Sequence, residues 1–598
     1  MKELFFPFDS KAILRNKRQL EKQLLSDGST RIKKKIAVLS GSTCDHVISM
    51  LRLFLLNYGI DASFYRSQYN KFYEDAVFGS PELDAFKPDI VYVYTTSRNL
   101  TLIPDSASVT EETAARLLED QFSYFRQVWE GIRSRFSCPI IQNNFELLLT
   151  RRTGNYDSWG VSGRSAFINR MNVMLSDYAR HNSGFYINDI NYLSSAIGLE
   201  KWHDPEAWYI YKYAMNPSVI PDLAQSCASI IKAIYGKNSK VIDLDLDNTL
   251  WGGVIGDDGR DGIVIGPETA VGQSHSEFQS FIRGYKDYGV LLAVCSKNDE
   301  ENAIAGLEHP SCVLRPEDFV SIKANWENKD RNILESANEL SLMPDSFVFI
   351  DDNPAECEMV QAQLPQVQTV HLSSVGSAMY ALSRGGYFEV ISVSGDDMNR
   401  TEMYAANAKR AAQEKCFESY KEYLLSLKMY AKICDFLPVY RQRITQLTNK
   451  SNQFNLTTKR FTESEIEEIS RSEKHIRLCG RLSDKFGDNG IVSVIIARCE
   501  GTSAHIDLWL MSCRVLKRDM ELAMLDELVK QCRERGIRRL VGYYYRTPKN
   551  NMVSELYRQL GFENVKMREN GDSVWELAIK GYVNKNEVIK EDKRSYDI

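Results

Sequence analysis

The sequence lacks any uninterrupted apolar run long enough to cross a bilayer, which takes about 18–20 residues. No membrane span and no membrane partner are expected. The amino-terminal stretch lacks the apolar centre of a secretory signal, because Asp9, Lys11, Arg15 and Lys17 interrupt it. An excess of cations is missing as well. Lys and Arg number 74 against 80 Asp and Glu, a net charge of −6. Nucleic acid is therefore not an expected partner, since sequence-independent binding draws on clustered cations. The 12 cysteines are scattered at positions 44, 138, 227, 295, 312, 357, 416, 434, 479, 499, 513 and 532. That spacing excludes zinc-ribbon and thioredoxin-type CxxC motifs, and reduced thiols in a cytoplasmic protein are the simplest expectation. Internal repeats and low-complexity tracts are absent too. What remains is ordinary globular material, 43% hydrophobic and 26% charged over 598 residues. At roughly 100–200 residues per domain, three or four domains are expected.

The order of apolar runs and helical patterns divides the chain into an amino-terminal extension (1–32), an α/β segment (33–235), a second α/β segment (236–395), a charged helical connector (396–432) and a last segment (433–598). In the first α/β segment the runs 35–39, 89–95, 138–141 and 185–187 alternate with helical stretches, which predicts a mostly parallel sheet. In the second, strands are expected at 240–244, 290–295 and 346–350. In the last, alternating runs at 491–497 and 506–511 precede a long helix from Met520 to Arg535 and a strand near 540–545.

Three strands of the second segment run straight into polar residues. The first meets Asp245-Leu246-Asp247-Asn248-Thr249, the second Ser296-Lys297-Asn298, the third Asp351-Asp352-Asn353. Carboxylates at the end of an apolar strand are costly unless paired. Ligands of open α/β sheets bind at the carboxyl ends of the strands. If the strands are neighbours, several carboxylates converge and call for a hard dication such as Mg²⁺ and a phosphorylated small-molecule substrate. Asp245 could then attack phosphorus, and Asp247 could protonate the leaving oxygen and later activate water. Thr249, Ser296 and Lys297 fall on the substrate-binding side, with Ser296 placed to hold a phosphoryl oxygen. Lys329 could offset the developing charge. Taken singly, each motif also fits a turn or a helix cap; the ordered set is more specific.

This set resembles the haloacid dehalogenase (HAD) superfamily. The runs Leu244–Gly256, Val294–Asn298, Asn325–Lys329 and Phe349–Pro354 resemble the FkbH-like family. That resemblance implies an α/β chain of three domains: an SGNH- or flavodoxin-like parallel sheet, a HAD Rossmann-like sheet and a GNAT-like α+β domain. It implies removal of phosphate from 1,3-bisphosphoglycerate and transfer of the glyceryl group to the phosphopantetheine thiol of an acyl carrier protein. It also implies Asp245 as nucleophile and Asp247 as acid/base. Asp245, the Asp247 carbonyl and Asp352 would hold Mg²⁺, with Asp351 as a further ligand. Cys295, just before Ser296 and near Lys297, is a candidate for a glyceryl thioester; the competing reading is a buried strand cysteine.

In the last segment, Ser512–Glu521 and Leu556–Phe562 resemble a GNAT acyltransferase. Arg514 fits the first position of its coenzyme A loop, and Arg518 belongs to the same loop. Lys517 and Asp519 stand where glycines are expected, which argues against acetyl-CoA turnover. The amide-rich run Arg443–Thr458 is either a surface docking a pantetheine arm or carrier protein, or a capped loop. In the first α/β segment Ser42, Asn143, Asn144 and His203 resemble an SGNH hydrolase. Glu200 occupies the place of that family's Asp, so a structural role is the stronger expectation. Two other functions stay open: a stand-alone phosphatase of a small phosphate ester, and a scaffold presenting a carrier protein.

Overall fold

The computed structural model describes residues 1–414, 416–451, 453–547 and 549–592, without the side chains of residues 396, 408, 411 and 412. Contacts divide the chain into two compact units, Met1–Ile234 with Thr462–Glu465, and Tyr235–Phe461 with Ile466–Ile598. No described helix is long and apolar enough to cross a membrane.

The first unit holds a five-stranded parallel sheet of β1 (Ile32–Ser40), β2 (Ile60–Arg66), β3 (Ile90–Tyr94), β4 (Ile140–Asn143) and β5 (Phe185–Asn188), in the order β2-β1-β3-β4-β5. Every residue of β3 and β4 is buried. Strands covered by helices on both faces read as continuous apolar runs in this way. The helix Ser10–Ser26 is capped by Asp9, whose carboxylate accepts from the Lys11 and Ala12 amides, and it buries Ile13, Leu20 and Leu24.

The second unit contains two sheets. One is parallel, with β6 (Val241–Leu244), β7 (Leu291–Ser296), β8 (Phe319–Ala324), β9 (Phe347–Asp351) and β10 (Gln368–His371) in the order β10-β9-β6-β7-β8. Register fixes what the carboxyl ends present. Leu244 lies beside Val294 on one side and Ile350 on the other, so Asp245 emerges between the ends of β7 and β9. The strands β8 and β10 were not among those expected from the sequence; β8 mixes buried and half-buried positions and β10 is four residues long, so neither makes a long apolar run.

The other sheet comprises β11 (Tyr430–Cys434), β12 (His475–Asp484), β13 (Gly487–Glu500), β14 (Ser503–Met511), β15 (Arg539–Tyr544), β16 (Glu563–Met567), β17 (Ser573–Ala578) and β18 (Lys590–Glu591), in the order β16-β17-β15-β14-β13-β12-β11-β18. Its neighbours are antiparallel except for the β14–β15 and β11–β18 pairs. The helix Met520–Glu534 packs its buried Met520, Met524, Leu525 and Leu528 into the core of this sheet. A mixed α/β chain with three sheets, two of them parallel and one mostly antiparallel, is the architecture.

Candidate active site

The site is built at the carboxyl ends of β6, β7 and β9. One carboxylate oxygen from each of Asp245, Asp351 and Asp352 lies within 4.8 Å of the others. Three carboxylates this close repel one another. Lys329 answers two of them, with its ammonium 3.1 Å from Asp245 Oδ1 and 2.5 Å from Asp351 Oδ2. Lys329 opens the helix Lys329–Glu339, where a cation faces the positive end of the helix dipole. That placement and a 2% exposure are tolerable because of the two carboxylates. Burial opposes the charge on Lys329, but Asp245 and Asp351 more than compensate and raise its pKa. Burial and the charge of Asp245 push Asp351 up to about 6. Asp352 is raised by the same two causes. Even with Lys329 in place the cluster keeps excess negative charge, and three hard oxygen donors fit a divalent cation of the Mg²⁺ type.

Asp247 is held differently. Its Oδ1 accepts from the Trp251 indole at 2.9 Å and from the Ile255 amide at 3.0 Å, and its Oδ2 accepts from Asn298 Nδ2 at 3.0 Å. Burial raises its pKa. The loop between Asp247 and Trp251 turns on Asn248, whose φ of 55° is left-handed, a conformation Asn tolerates better than most residues. Gly253 follows at φ 94°. A Cβ there would lie 2.6 Å from the Asp258 carboxylate, which accepts from the Val254 amide. The Asn-Thr-Leu-Trp-Gly-Gly run thus serves to fold the loop back so that Trp251, itself fully buried, grips Asp247. Trp251 and Asn298 were not assigned site roles from the sequence. The signal for both was present, inside the motifs that carry the resemblance.

The remaining expected residues divide. Ser296 ends β7, is 1% exposed, and its carbonyl accepts from Asn325. Thr249 is fully buried, its hydroxyl has no hydrogen-bond partner among the described residues, and its carbonyl meets the His275 ring. Lys297 turns to an ion pair with Glu356 at 2.7 Å, so it is not the cation that would activate Cys295. Cys295 itself shares the sheet face of Asp245 and Asp351 but sits behind Lys329. It is fully buried, and its Sγ lies 3.6 Å from the Lys329 carbonyl. Burial, reinforced by the Asp243 carboxylate, raises its thiol well above the ordinary range. A group with neither access nor thiolate character is a poor acyl carrier, so the thioester expectation is corrected here to a buried strand cysteine. Asp243, two residues before Asp245, was missed. It is fully buried, neither oxygen has a hydrogen-bond partner among the described residues, and burial pushes it up to about 7.

The expected coenzyme A loop is also corrected. Lys517 and Asp519 do adopt left-handed backbone, at φ 62° and 59°. However, Arg518 points inward to Asp484, Asn489, Asn407 and the Arg514 carbonyl, and Arg514 bonds Ser512 through Nε at 3.2 Å. Both guanidiniums are buried. β14 and β15 pair only as far as Ile506 and Gly542. Beyond that point Phe454–Leu456 fills the gap: the Leu456 amide donates to Trp509, the Met511 amide to Phe454, and the Tyr545 amide to Leu456. The amide-rich run is thus a helix (Arg441–Lys450) followed by an inserted segment, not an open recognition surface. In the first unit His203 bonds the Leu147 carbonyl at 2.9 Å and Asn143 bonds Tyr92 and Asn188. No described contact joins His203 to Ser42.

The carboxylate cluster, its lysine and the parallel sheet define a HAD-type phosphatase centre. Residues 35–232 match the family model of the FkbH N-terminal domain. The N-terminal part of the protein BF1531 from Bacteroides fragilis, containing a phosphatase domain and complexed with Mg, is 26% identical; the match covers 63% of this chain and 99% of that one, with a TM-score of 0.58. The GNAT domain of S. lividans PAT (14% identity, 25% of this chain and 90% of that one, TM-score 0.21) and a GNAT-family acetyltransferase from Streptococcus pneumoniae (16%, 25% and 99%, 0.20) also overlap with the chain. No curated protein sequence matches significantly.

Proposed function

We propose that the chain is a Mg²⁺-dependent enzyme that removes phosphate from a phosphorylated three-carbon acid of the 1,3-bisphosphoglycerate type and passes the glyceryl group to an acyl carrier protein thiol. The observation that carries the phosphatase part is the meeting of Asp245, Asp351 and Asp352 with Lys329 between two of them. Asp245, Asp351, Asp352 and the Asp247 carbonyl would hold the cation, which when bound neutralises the carboxylates and the phosphate oxygens. Asp245 attacks phosphorus and takes the phosphoryl group. Asp247, held by Trp251, Asn298 and the Ile255 amide, gives its proton to the leaving oxygen and then takes one from the water that releases phosphate. Ser296 and Thr249 orient the phosphoryl group, and Lys329, paired with Asp245, offsets charge as the bond breaks.

The acyl-transfer part rests on the FkbH-like family match. With Cys295 buried, the incoming carrier thiol would give up its proton and attack the C1 carbonyl directly, the C1–O bond breaking and the C1 phosphate leaving, while the phosphoryl group that Asp245 takes is the one on the C3 oxygen. The test uses the full chain, Mg²⁺, 1,3-bisphosphoglycerate and a holo carrier protein. A glyceryl mass increment on the carrier together with free phosphate is expected. Free phosphate with an unmodified carrier would leave only a stand-alone phosphatase. Asp245→Asn should lower phosphate release by about 10³-fold or more, with the fold intact, and EDTA should do the same to the unmodified chain. Full activity in the variant would overturn the nucleophile assignment; neither product from the unmodified chain would favour a scaffold.

A further inference from the structure

Cys434 closes β11 and Cys479 lies in the middle of β12, and the antiparallel register of the two strands sets them directly opposite one another. Directly opposed residues of antiparallel strands have Cα atoms about 4.5–5.5 Å apart, inside the roughly 4.4–6.8 Å that a disulfide spans. Opposed side chains also leave the same face of the sheet. Here the two Sγ atoms stand 3.7 Å apart as thiols. Closing that gap to the about 2.05 Å of an S–S bond takes rotation about the two Cα–Cβ bonds, and the strands need not move.

The two thiols differ in access and in ionisation. β18 pairs with β11 at Tyr430 and Ala431, so the Cys434 end of β11 has no strand on its outer side among those described, and Cys434 is half-buried. Cys479 is 1% exposed and packs in one core cluster with Ile444, Leu447 and Val494. The Cys479 thiol donates to Cys434 and holds it below the ordinary thiol range in spite of burial, with Lys432 acting the same way and Asp435 against it. Giving that bond, together with burial, raises Cys479. A reachable thiol of lowered pKa beside a protonated, buried partner is the pairing of an attacking with a resolving cysteine.

We propose that Cys434 and Cys479 form a reversible oxidation site that takes hydrogen peroxide as its oxidant and ends in a disulfide within the chain. The Cys434 thiolate attacks one peroxide oxygen: an S–O bond forms, the O–O bond breaks, and the departing hydroxide takes up a proton and leaves as water. The Cys479 thiol then gives up its proton and attacks the Cys434 sulfur. The S–S bond forms, the S–O bond breaks, and the hydroxide leaves as a second water. The two thiols together lose two electrons, which reduce one peroxide, and an external dithiol reverses the bond by exchange. The cysteines are 45 residues apart. The span between them carries the helix Arg441–Lys450 and the Phe454–Leu456 segment beside β14. The bond closes that span into a covalent loop, which restricts the unfolded chain and so stabilises the folded one.

The experiment treats the full chain with equimolar hydrogen peroxide, blocks the remaining thiols with an alkylating reagent and maps the unreduced peptides by mass spectrometry. The expected result is a peptide pair joined through Cys434 and Cys479, with both thiols recovered by dithiothreitol. Urea unfolding of the oxidised chain should move to a higher midpoint, and dithiothreitol should return it. Cys479→Ser should stop at a Cys434 sulfenic acid, captured by dimedone, because the resolving thiol is gone. Cys434→Ser should leave the buried Cys479 as a thiol. Oxidation spent on exposed Cys416, with the Cys434 and Cys479 peptides still alkylated, would overturn the proposal. So would a disulfide joining either cysteine to a different one. Where a variant fails to fold, the unreduced map of the unmodified chain decides alone.

Discussion

The Lys329 ammonium donates to the Asp351 carboxylate across 2.5 Å, and both side chains are almost wholly buried. The same ammonium lies 3.1 Å from Asp245. One lysine at a helix start therefore compensates two carboxylates from different strands, and the electrostatics of the candidate site depend on it.

Removing that charge exposes the dependence. Lys329→Met leaves Asp245 and Asp351 uncompensated, a loss of about 3–5 kcal/mol for a broken buried pair. Urea unfolding in EDTA should show it, and Mg²⁺ should restore part of it by replacing the positive charge. An equal loss with and without Mg²⁺ would contradict a shared cation site.

The Trp251 indole donates to Asp247. Trp251→Phe keeps the ring packing but deletes one of three hydrogen bonds to that carboxylate. A bond worth about 1 kcal/mol corresponds to roughly a fivefold to tenfold loss in kcat, with KM for an aryl phosphate unchanged. A rise in KM alone would show that Trp251 shapes the pocket without positioning the acid.

Cys295→Ala should leave both phosphate release and acyl transfer at the unmodified rate. The substitution removes a buried sulfur, so a stability loss of about 1 kcal/mol is expected. In the folded chain Cys295 should also resist thiol reagents that label exposed Cys416. Lost acyl transfer with normal phosphate release would reinstate the thiol as a carrier.

Glu146 supplies a pH test in the first unit, which contains none of the proposed metal ligands. It is fully buried, and burial pushes its carboxyl up to about 7, although Ser97 donates to it from both backbone and side chain. The folded form therefore binds more protons than the unfolded chain between the ordinary carboxylate value and about 7. Stability is greatest below that window and falls as pH rises through it, by about 3 kcal/mol at 1.36 kcal/mol per unit. Urea unfolding between pH 5 and 8 should show this slope for the unmodified chain, and Glu146→Gln should flatten it. A slope identical in the two proteins would exclude Glu146 as its source.

The parallel strands, the motif positions and the likeness to the FkbH-like family were legible because each is local. A buried strand writes itself as a short apolar run, and Asp-x-Asp-x-Thr at its end is costly enough to advertise a ligand. Trp251 and Asn298 lay inside the same motifs, but nothing local says that an indole four residues after Asp247 folds back upon it. That requires the left-handed turn at Asn248. Cys295 was misread for a related reason: adjacency to Ser296 in sequence says nothing about which of the two lies behind Lys329.

What the sequence alone determined is the inventory: a mildly acidic chain without a membrane-spanning run, alternating strands and helices, and carboxylates at three strand ends. The tertiary structure decided which of those groups meet. It brought Asp245, Asp351 and Asp352 to one point with Lys329, sealed Cys295 beneath them, turned Arg518 inward, filled the gap beside β14 with Phe454–Leu456, and set Cys434 opposite Cys479. Composition cannot show such an outcome, because the cost of placing a charge depends on what surrounds it and the surroundings come from elsewhere in the chain.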